Sequence, residues 1–228
     1  MTDTIITVQG EHSAWYPAER ATVRASVQVD GAKRDAVFAS AVASSDALRT
    51  SIEAHFDKAI GPVTWWTSDS VRVWSERPWN NDSKQLPLVY HSAVDFSAKF
   101  SDFDALSRWV ESAAAVDHVS VGSISWDLTD ATRTSVTTEV RSRAVKDAVA
   151  KATVYAQSIG LGTVKAIALA DPGMLGDPSS AGAGSAPAPM FRGAMKAQAF
   201  DGGGAPVLAL KPEEIAVASV VDARFVAS

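Results

Sequence analysis

Histidine is the residue type in this sequence best suited to acid–base chemistry, and the chain has four of them. A histidine works as a general base near neutral pH when a neighbouring group orients its ring. None of the four makes the HxxxH or HExxH spacing that places two metal ligands on one helix face. We therefore expect no metal site, and ordinary polar or capping roles for His12, His55, His91 and His118.

His91 and Asp95 form the best candidate pair, because both fall on the polar face of one predicted strand. Side chains four residues apart on a strand lie about 13 Å from each other, which is too far for a direct hydrogen bond. An enzyme with His91 or His118 as general base is therefore the weakest of three interpretations. We predict no catalytic residue and no enzymatic activity.

Glycine motifs that bind phosphate would be a second kind of site. Gly160-Leu-Gly162 follows a predicted helix, whereas a phosphate-binding loop follows a strand and opens a helix. The run Gly202-Gly203-Gly204 precedes a predicted strand and lacks the lysine of a P-loop. The sequence therefore predicts no bound cofactor.

Tryptophan is concentrated in one predicted strand region, and Trp65 and Trp66 are adjacent there. Neighbouring residues of a strand point to opposite faces, so we expect one of the two to be exposed. Either these side chains fill the core, or the region is a subunit interface, where Trp and Arg are enriched. The candidate interface or binding surface consists of Trp65, Trp66, Arg72, Trp74, Arg77 and Trp79.

Hydrophobic periodicity indicates the elements that carry these residues. A period of two predicts a strand at residues 21–29, which we expect to form a hairpin with residues 5–9. A helical period predicts helices over residues 37–56, 106–113 and 136–159. Further strands are predicted at residues 63–79, 86–101, 119–128, 164–170 and 215–226.

Local signals mark the ends of two of these helices. Ser101, with Asp104 three residues later, predicts a capping box before the short helix. Gly160 is expected to end the long helix in a left-handed conformation.

The order of elements predicts an α+β protein in which an antiparallel or mixed β-sheet packs with helices in ββα units. We expect a single domain over residues 1–228, with two sub-lobes at about 1–85 and 86–228 as an alternative. Residues 171–206 are dominated by Gly, Ala, Pro and Ser and predict a flexible low-complexity loop before the last strand.

Composition restricts the classes of partner. The chain has 228 residues, a net charge of −5 and no cysteine, which excludes disulfides and thiolate metal sites. No cluster of Lys and Arg offers a phosphate backbone a positive surface, so we expect no nucleic-acid partner. The sequence has no run of 18 apolar residues, so we predict no membrane span. No apolar signal-peptide core follows Met1. We expect a soluble, cytoplasmic chain as given, periplasmic or secreted only if an export signal was removed.

Three stretches together resemble one known family. They are Ile5 to Gly10 followed by Pro17, an alanine-repeating helix from Arg143 that ends in glycine and enters a strand, and Pro212 to Phe225. In this order they are similar to the first hairpin, the long helix and the C-terminal strand of SIMPL-domain proteins. That family includes bacterial periplasmic immunogenic and oxidative-stress-defence proteins.

The resemblance implies an α+β fold, a tendency to self-associate and a link to stress responses, and it supplies no catalytic residue. The leading hypothesis is a non-enzymatic, self-associating SIMPL-domain protein of unassigned biochemical role. The alternative is a small-molecule or peptide binding module that uses the tryptophan-rich strand region and the loop at residues 171–206. We expect a homo-oligomer, with a protein or peptide partner as the further option.

Overall fold

The computed structural model describes residues 3–79, 85–175 and 210–228, and the fold there is α+β, as predicted. The predicted loop lies outside these residues from position 176 onward, as does the run Gly202-Gly203-Gly204. The elements are β1 Thr4–Pro17, β2 Arg20–Gly31, α1 Arg34–Glu53, β3 Val63–Ser68, β4 Arg72–Glu76, β5 Val89–Phe100, α2 Phe103–Ala114, β6 Val119–Asp127, α3 Asp130–Ser158, β7 Val164–Ala170 and β8 Glu214–Ala227.

The chain divides into two compact units. Of the described residues, unit 1 comprises 3–16, 130–175 and 216–228, and unit 2 comprises 17–79, 85–129 and 210–215. A boundary near residue 85 does not coincide with this division, because β5 pairs with β2 and β3, which precede that position.

Unit 2 is built on a five-stranded sheet in the order β3-β5-β2-β6, with β4 also beside β5. The pairs β2–β5, β2–β6, β3–β5 and β4–β5 are all antiparallel. The predicted alternation of β2 is confirmed: Val23 and Val27 are buried and pack with Leu48 of α1 and Leu106 of α2 in one hydrophobic core. The opposite face of the sheet carries the polar residues of both central strands.

Two local predictions in unit 2 were wrong in detail. The region at residues 63–79 is two strands rather than one, separated where the Asp69 N–H donates to the carbonyl of Asp95. The N-cap of α2 is Asp102, whose carboxylate accepts hydrogen bonds from the N–H groups of residues 104 and 105. Ser101 instead donates its hydroxyl to the carbonyl of Gly61.

Unit 1 contains a three-stranded sheet in the order β1-β8-β7, together with α3. The predicted hairpin between residues 5–9 and 21–29 is therefore wrong, because β1 lies beside β8 while β2 pairs with β5 and β6. Alternation identifies a strand with one buried face, but it does not identify the neighbouring strand.

Helix α3 contacts this sheet through an alanine at every fourth position. Small side chains allow the helix and the sheet to approach closely, and all of them are fully buried. Gly10 of β1 lies at the closest approach: a Cβ there would meet the carbonyl oxygen of Ala144 and come within 2.7 Å of the Ala148 Cβ. The buried alanines are Ala144, Ala148, Ala152 and Ala156.

The end of α3 confirms the predicted stop. Gly160 has φ +77°, the left-handed conformation that favours glycine, and the next N–H, of Leu161, donates back to the carbonyl of Ala156. Within the described part of the chain, no helix combines the length and apolar character needed to cross a membrane.

Two charged side chains of α3 bind backbone groups at the edge of β1. The Asp147 carboxylate accepts from the Glu11 N–H at 2.9 Å, and the Lys151 ammonium donates to the Gln9 carbonyl at 3.1 Å. The two side chains also pair with each other at 2.8 Å. Hydrogen bonds to Lys151 and to the Glu11 N–H hold the pKa of Asp147 below its ordinary value, and the bond to Asp147 raises the pKa of Lys151.

We expect Gly10→Ala to lower the free energy of unfolding by about 1–3 kcal/mol, because the added methyl group overpacks the contact with α3. Urea unfolding monitored by circular dichroism measures this. Gly162→Ala is the matched control, since a Cβ at Gly162 would meet only the Ser228 carbonyl oxygen at 3.8 Å. Equal stability of the two variants would show that the contact between α3 and β1 can accommodate an added methyl group at residue 10.

The carboxylate of Asp147 should stabilise unit 1 above about pH 4, and this contribution should disappear as pH falls through its lowered pKa. Lys151, with a raised pKa, should contribute below about pH 10 and cease to do so as pH rises further. The urea midpoints of wild type and Asp147→Asn should therefore differ at pH 7 and converge in acid. Glu139→Gln, which breaks another i,i+4 pair on α3, should have the smaller effect.

Candidate functional site

Strand β5 sorts the candidate residues of unit 2 onto two faces. Val94, Phe96 and Phe100 point into the core, while His91 and Asp95 lie on the opposite face, as the alternation predicts. Because β5 pairs with β2 on one side and with β3 and β4 on the other, its outward residues lie next to those of three other strands.

The tryptophans of this region lie partly outside the core. The side chain of Trp65 is 47% exposed, whereas Trp66 points to the other face and packs against the core. The prediction that these two neighbours point in opposite directions is thus confirmed. Trp74 of β4 and Trp79 beyond it are also exposed, at 48% and 84%.

The exposed tryptophans border an unpaired strand edge. Within residues 3–79, 85–175 and 210–228, β3 and β4 pair along β5 on one side, and their other side is bridged only at Val63, by Phe56. We call residues 64–68 and 72–76 the tryptophan edge. The opposite edge of the sheet, strand β6, instead exposes small residues such as Ser120, Gly122 and Ser125.

The two candidate arginines bind neighbouring parts of the same region. Arg72 pairs with Asp95 of β5 at 2.6 Å, and Arg77 donates to the carbonyl of Leu86 at 2.9 Å. Both partners of the ion pair are about half exposed, so it contributes little to stability. The first contact joins β4 to β5, and the second joins the residues after β4 to the segment that precedes β5.

His91 does not pair with Asp95 but lies between two other carboxylates. Its Nδ1 is 2.6 Å from Asp30 Oδ1 of β2, and its Nε2 is 3.6 Å from Glu76 Oε1 of β4. The imidazole stacks on the Trp74 indole, with 5.3 Å between ring centroids and 18° between planes. We call His91, Asp30, Glu76 and Trp74 the histidine clamp, because they join three strands.

The imidazole of His91 is largely enclosed within the clamp. The His91 side chain is only 16% exposed, and its Nε2 atom is buried and has no hydrogen-bond partner within 3.5 Å. A base must reach a substrate proton directly or through one water. Because a carboxylate lies at each ring nitrogen, the arrangement links β4 to β5 and β2 through His91.

The other histidines have separate environments. His55 Nδ1 lies 2.9 Å from the carbonyl oxygen of Ser51, and His118 adopts φ +66° while its carbonyl accepts from the Gln28 N–H. His12 lies in β1 of unit 1. Across the described residues, no group of three His, Cys, Asp or Glu side chains is placed to hold a metal ion.

A shallow groove of about 400 Å³ opens on the same face of the sheet as Asp95. Its polar lining carries both signs of charge, from the guanidinium of Arg24 and the carboxylates of Asp69 and Asp95. The remaining lining residues are Ala25, Ser26, Phe96, Ser97 and Gly122.

The two adjacent tryptophans should differ in their effect on stability. We expect Trp66→Ala to lower the free energy of unfolding by about 2 kcal/mol or more, because it removes a side chain packed against the core. Trp65→Ala should cost less than about 1 kcal/mol, because this side chain is half exposed. Urea unfolding of both variants tests this, and the reverse order of stabilities would contradict the assignment of the two faces.

The similarity of this chain to known proteins is found at the level of a family. A search of curated proteins finds no match. The family model SIMPL, described as a protein of unknown function (DUF541), matches residues 6–225. This match covers nearly the whole chain, so the resemblance seen in the sequence is confirmed. The chain belongs to the SIMPL family.

Proposed function

We propose that this SIMPL-domain protein has no enzymatic activity and acts as an assembly of identical chains joined through the tryptophan edge. The observation that carries the proposal is the coincidence of an unpaired strand edge with exposed Trp65 and Trp74. The partner is a second copy of the chain.

An unpaired edge offers a row of backbone N–H and C=O groups that another strand can bind. Proteins that remain monomeric usually protect such edges with charge, proline or a β-bulge. Residues 64–68 of this edge contain no charge and no proline, whereas β3 has a register shift between Val63 and Trp65 and β4 carries the charged residues Arg72 and Glu76. An antiparallel pairing of two such edges would follow a two-fold axis, in which the same surface serves both chains.

The side chains along the edge favour a protein partner. Tryptophan and arginine are enriched where interfaces bind most strongly, and Trp65, Trp74 and Arg72 all lie on these two strands. Trp65 and Trp74 are each about half exposed, and their partners on β5, Lys99 and His91, place them about 26 Å apart along the same side of that strand. The opposite edge, β6, exposes serine and glycine, which gives an internal comparison within the same sheet.

The proposal that the chain is not an enzyme is supported by the surroundings of His91. Each of its ring nitrogens faces a carboxylate, and the one free of a close hydrogen bond is buried. A stress-related role rests on the family resemblance alone.

A small-molecule or peptide binding module is the second candidate, favoured by the groove on the same sheet face. Arg24 could bind a carboxylate while Asp69 binds an ammonium group, so a small zwitterion or a short peptide would fit its chemistry. The lid suggested for this module at residues 171–206 lies outside the described residues from position 176 onward.

Light scattering across a concentration series tests the assembly. We expect the wild-type chain to have a mass that is a discrete multiple of 24.0 kDa, and Trp65→Ser to weaken association by at least about tenfold. Trp15→Ser is the matched control, because Trp15 is 60% exposed but lies on β1, outside the tryptophan edge.

A monomer at all concentrations would contradict the proposal. Equal effects of the two substitutions would place the interface elsewhere. A monomer whose tryptophan fluorescence is quenched in a saturable way by a zwitterion or peptide would favour the binding module.

A further inference from the structure

We infer that proton binding to His91 controls how firmly β4 is held against β5, and that association through the tryptophan edge is therefore stronger in mildly acidic than in mildly alkaline solution. The part that concerns association rests on the proposed function above. The part that concerns β4 does not depend on it.

Two carboxylates lie at opposite ends of the His91 imidazole. Asp30 Oδ1 lies 2.6 Å from Nδ1, and Glu76 Oε1 lies 3.6 Å from Nε2. An imidazolium has two N–H donors, so the protonated ring can donate toward both carboxylates. Protonated His91 therefore links β2, β5 and β4 through its two nitrogens.

The neutral ring cannot do the same. Neutral imidazole has one N–H donor and one lone pair. The proton is expected to stay on Nδ1, where Asp30 is closer, which leaves the Nε2 lone pair facing the Glu76 carboxylate. Because Nε2 is buried, water cannot readily replace the lost interaction. The end of β4 at Glu76 should then be released.

Other charged groups lie around the clamp. Arg72 and Asp95 form an ion pair nearby on β4 and β5. Lys33 shares a groove with Asp30, and so does His118. Because His118 is a second histidine close to Asp30, its replacement is the control.

Strand β4 is the element most sensitive to such a change. It has five residues and, among the residues that the structure describes, pairs on one side only, whereas β2 and β5 are longer and pair on both sides. Its central tryptophan stacks on His91 itself. Short, exposed elements with few buried contacts open with little cost in free energy, so a single lost interaction can release β4 while the rest of the sheet stays folded.

The order of β4 is measured by NMR relaxation of backbone amides in Trp65→Ser, the variant expected to be monomeric. We expect order parameters of the amides in Arg72–Glu76 to fall from about 0.85 at about pH 5.5 to below about 0.6 at about pH 8. Those of β2 should not change. Unchanged order in β4 would overturn the inference whatever the association state.

Two variants identify the responsible groups. Glu76→Gln should abolish the pH dependence. An amide oxygen can accept from the protonated ring, and an amide N–H can donate to the neutral ring. His118→Asn should retain it, and asparagine tolerates the left-handed backbone at that position. A pH dependence that survives Glu76→Gln or disappears in His118→Asn would assign the effect to another group.

Association is measured separately, by light scattering of the wild-type chain at the same two pH values. We expect association to be at least about tenfold weaker at the higher pH, and Glu76→Gln to remove the difference. Association that is independent of pH, with β4 still changing order, would overturn the link between the clamp and assembly. A monomer at both pH values would instead refute the proposed function and leave the clamp to be judged by NMR alone.

Discussion

Strand β5 is paired on both sides, and the surface features of unit 2 depend on that pairing. Its alternation places Val94, Phe96 and Phe100 in the core and leaves His91 and Asp95 on the opposite face. Its register against β2 brings Asp30 to His91, and its register against β4 brings Trp74 there as well. A shift of one residue would turn every one of these side chains to the wrong face.

Unit 1 depends on a different constraint, the absence of side-chain volume. The buried alanines of α3 and Gly10 of β1 allow the helix to lie close to the sheet. The close approach also lets Asp147 and Lys151 bind backbone groups at the edge of β1. One edge strand of the protein is thus engaged by side chains from a helix, whereas the tryptophan edge carries a register shift between Val63 and Trp65 and the charged residues Arg72 and Glu76.

Hydrophobic periodicity was sufficient to predict much of the fold. It placed β2, β5 and α3 correctly, Gly160 was identified as a helix stop, and the faces of Trp65 and Trp66 followed from strand geometry. Periodicity failed where the answer depends on which strands are neighbours. The alternation of residues 5–9 does not distinguish β2 from β8 as a partner, so the predicted hairpin was wrong.

The histidine clamp could not be predicted for the same reason. Asp30 lies 61 residues before His91, and only the pairing of β2 with β5 brings them together. On the same face of the same strand, the candidate partner of His91 was Asp95, which binds Arg72 instead. To identify a partner on a neighbouring strand, one must know the register in which the two strands pair, and a single sequence does not supply it.

We propose that copies of the chain associate through the tryptophan edge. Amide hydrogen exchange, measured by mass spectrometry at a low and a high protein concentration, tests it most directly, because strand pairing protects backbone N–H groups. We expect amide exchange in Val63–Ser68 and Arg72–Glu76 to slow as protein concentration rises. Exchange in Val119–Asp127, the other edge of the same sheet, should stay unchanged. Protection that appears in β6, or in neither edge, would contradict it.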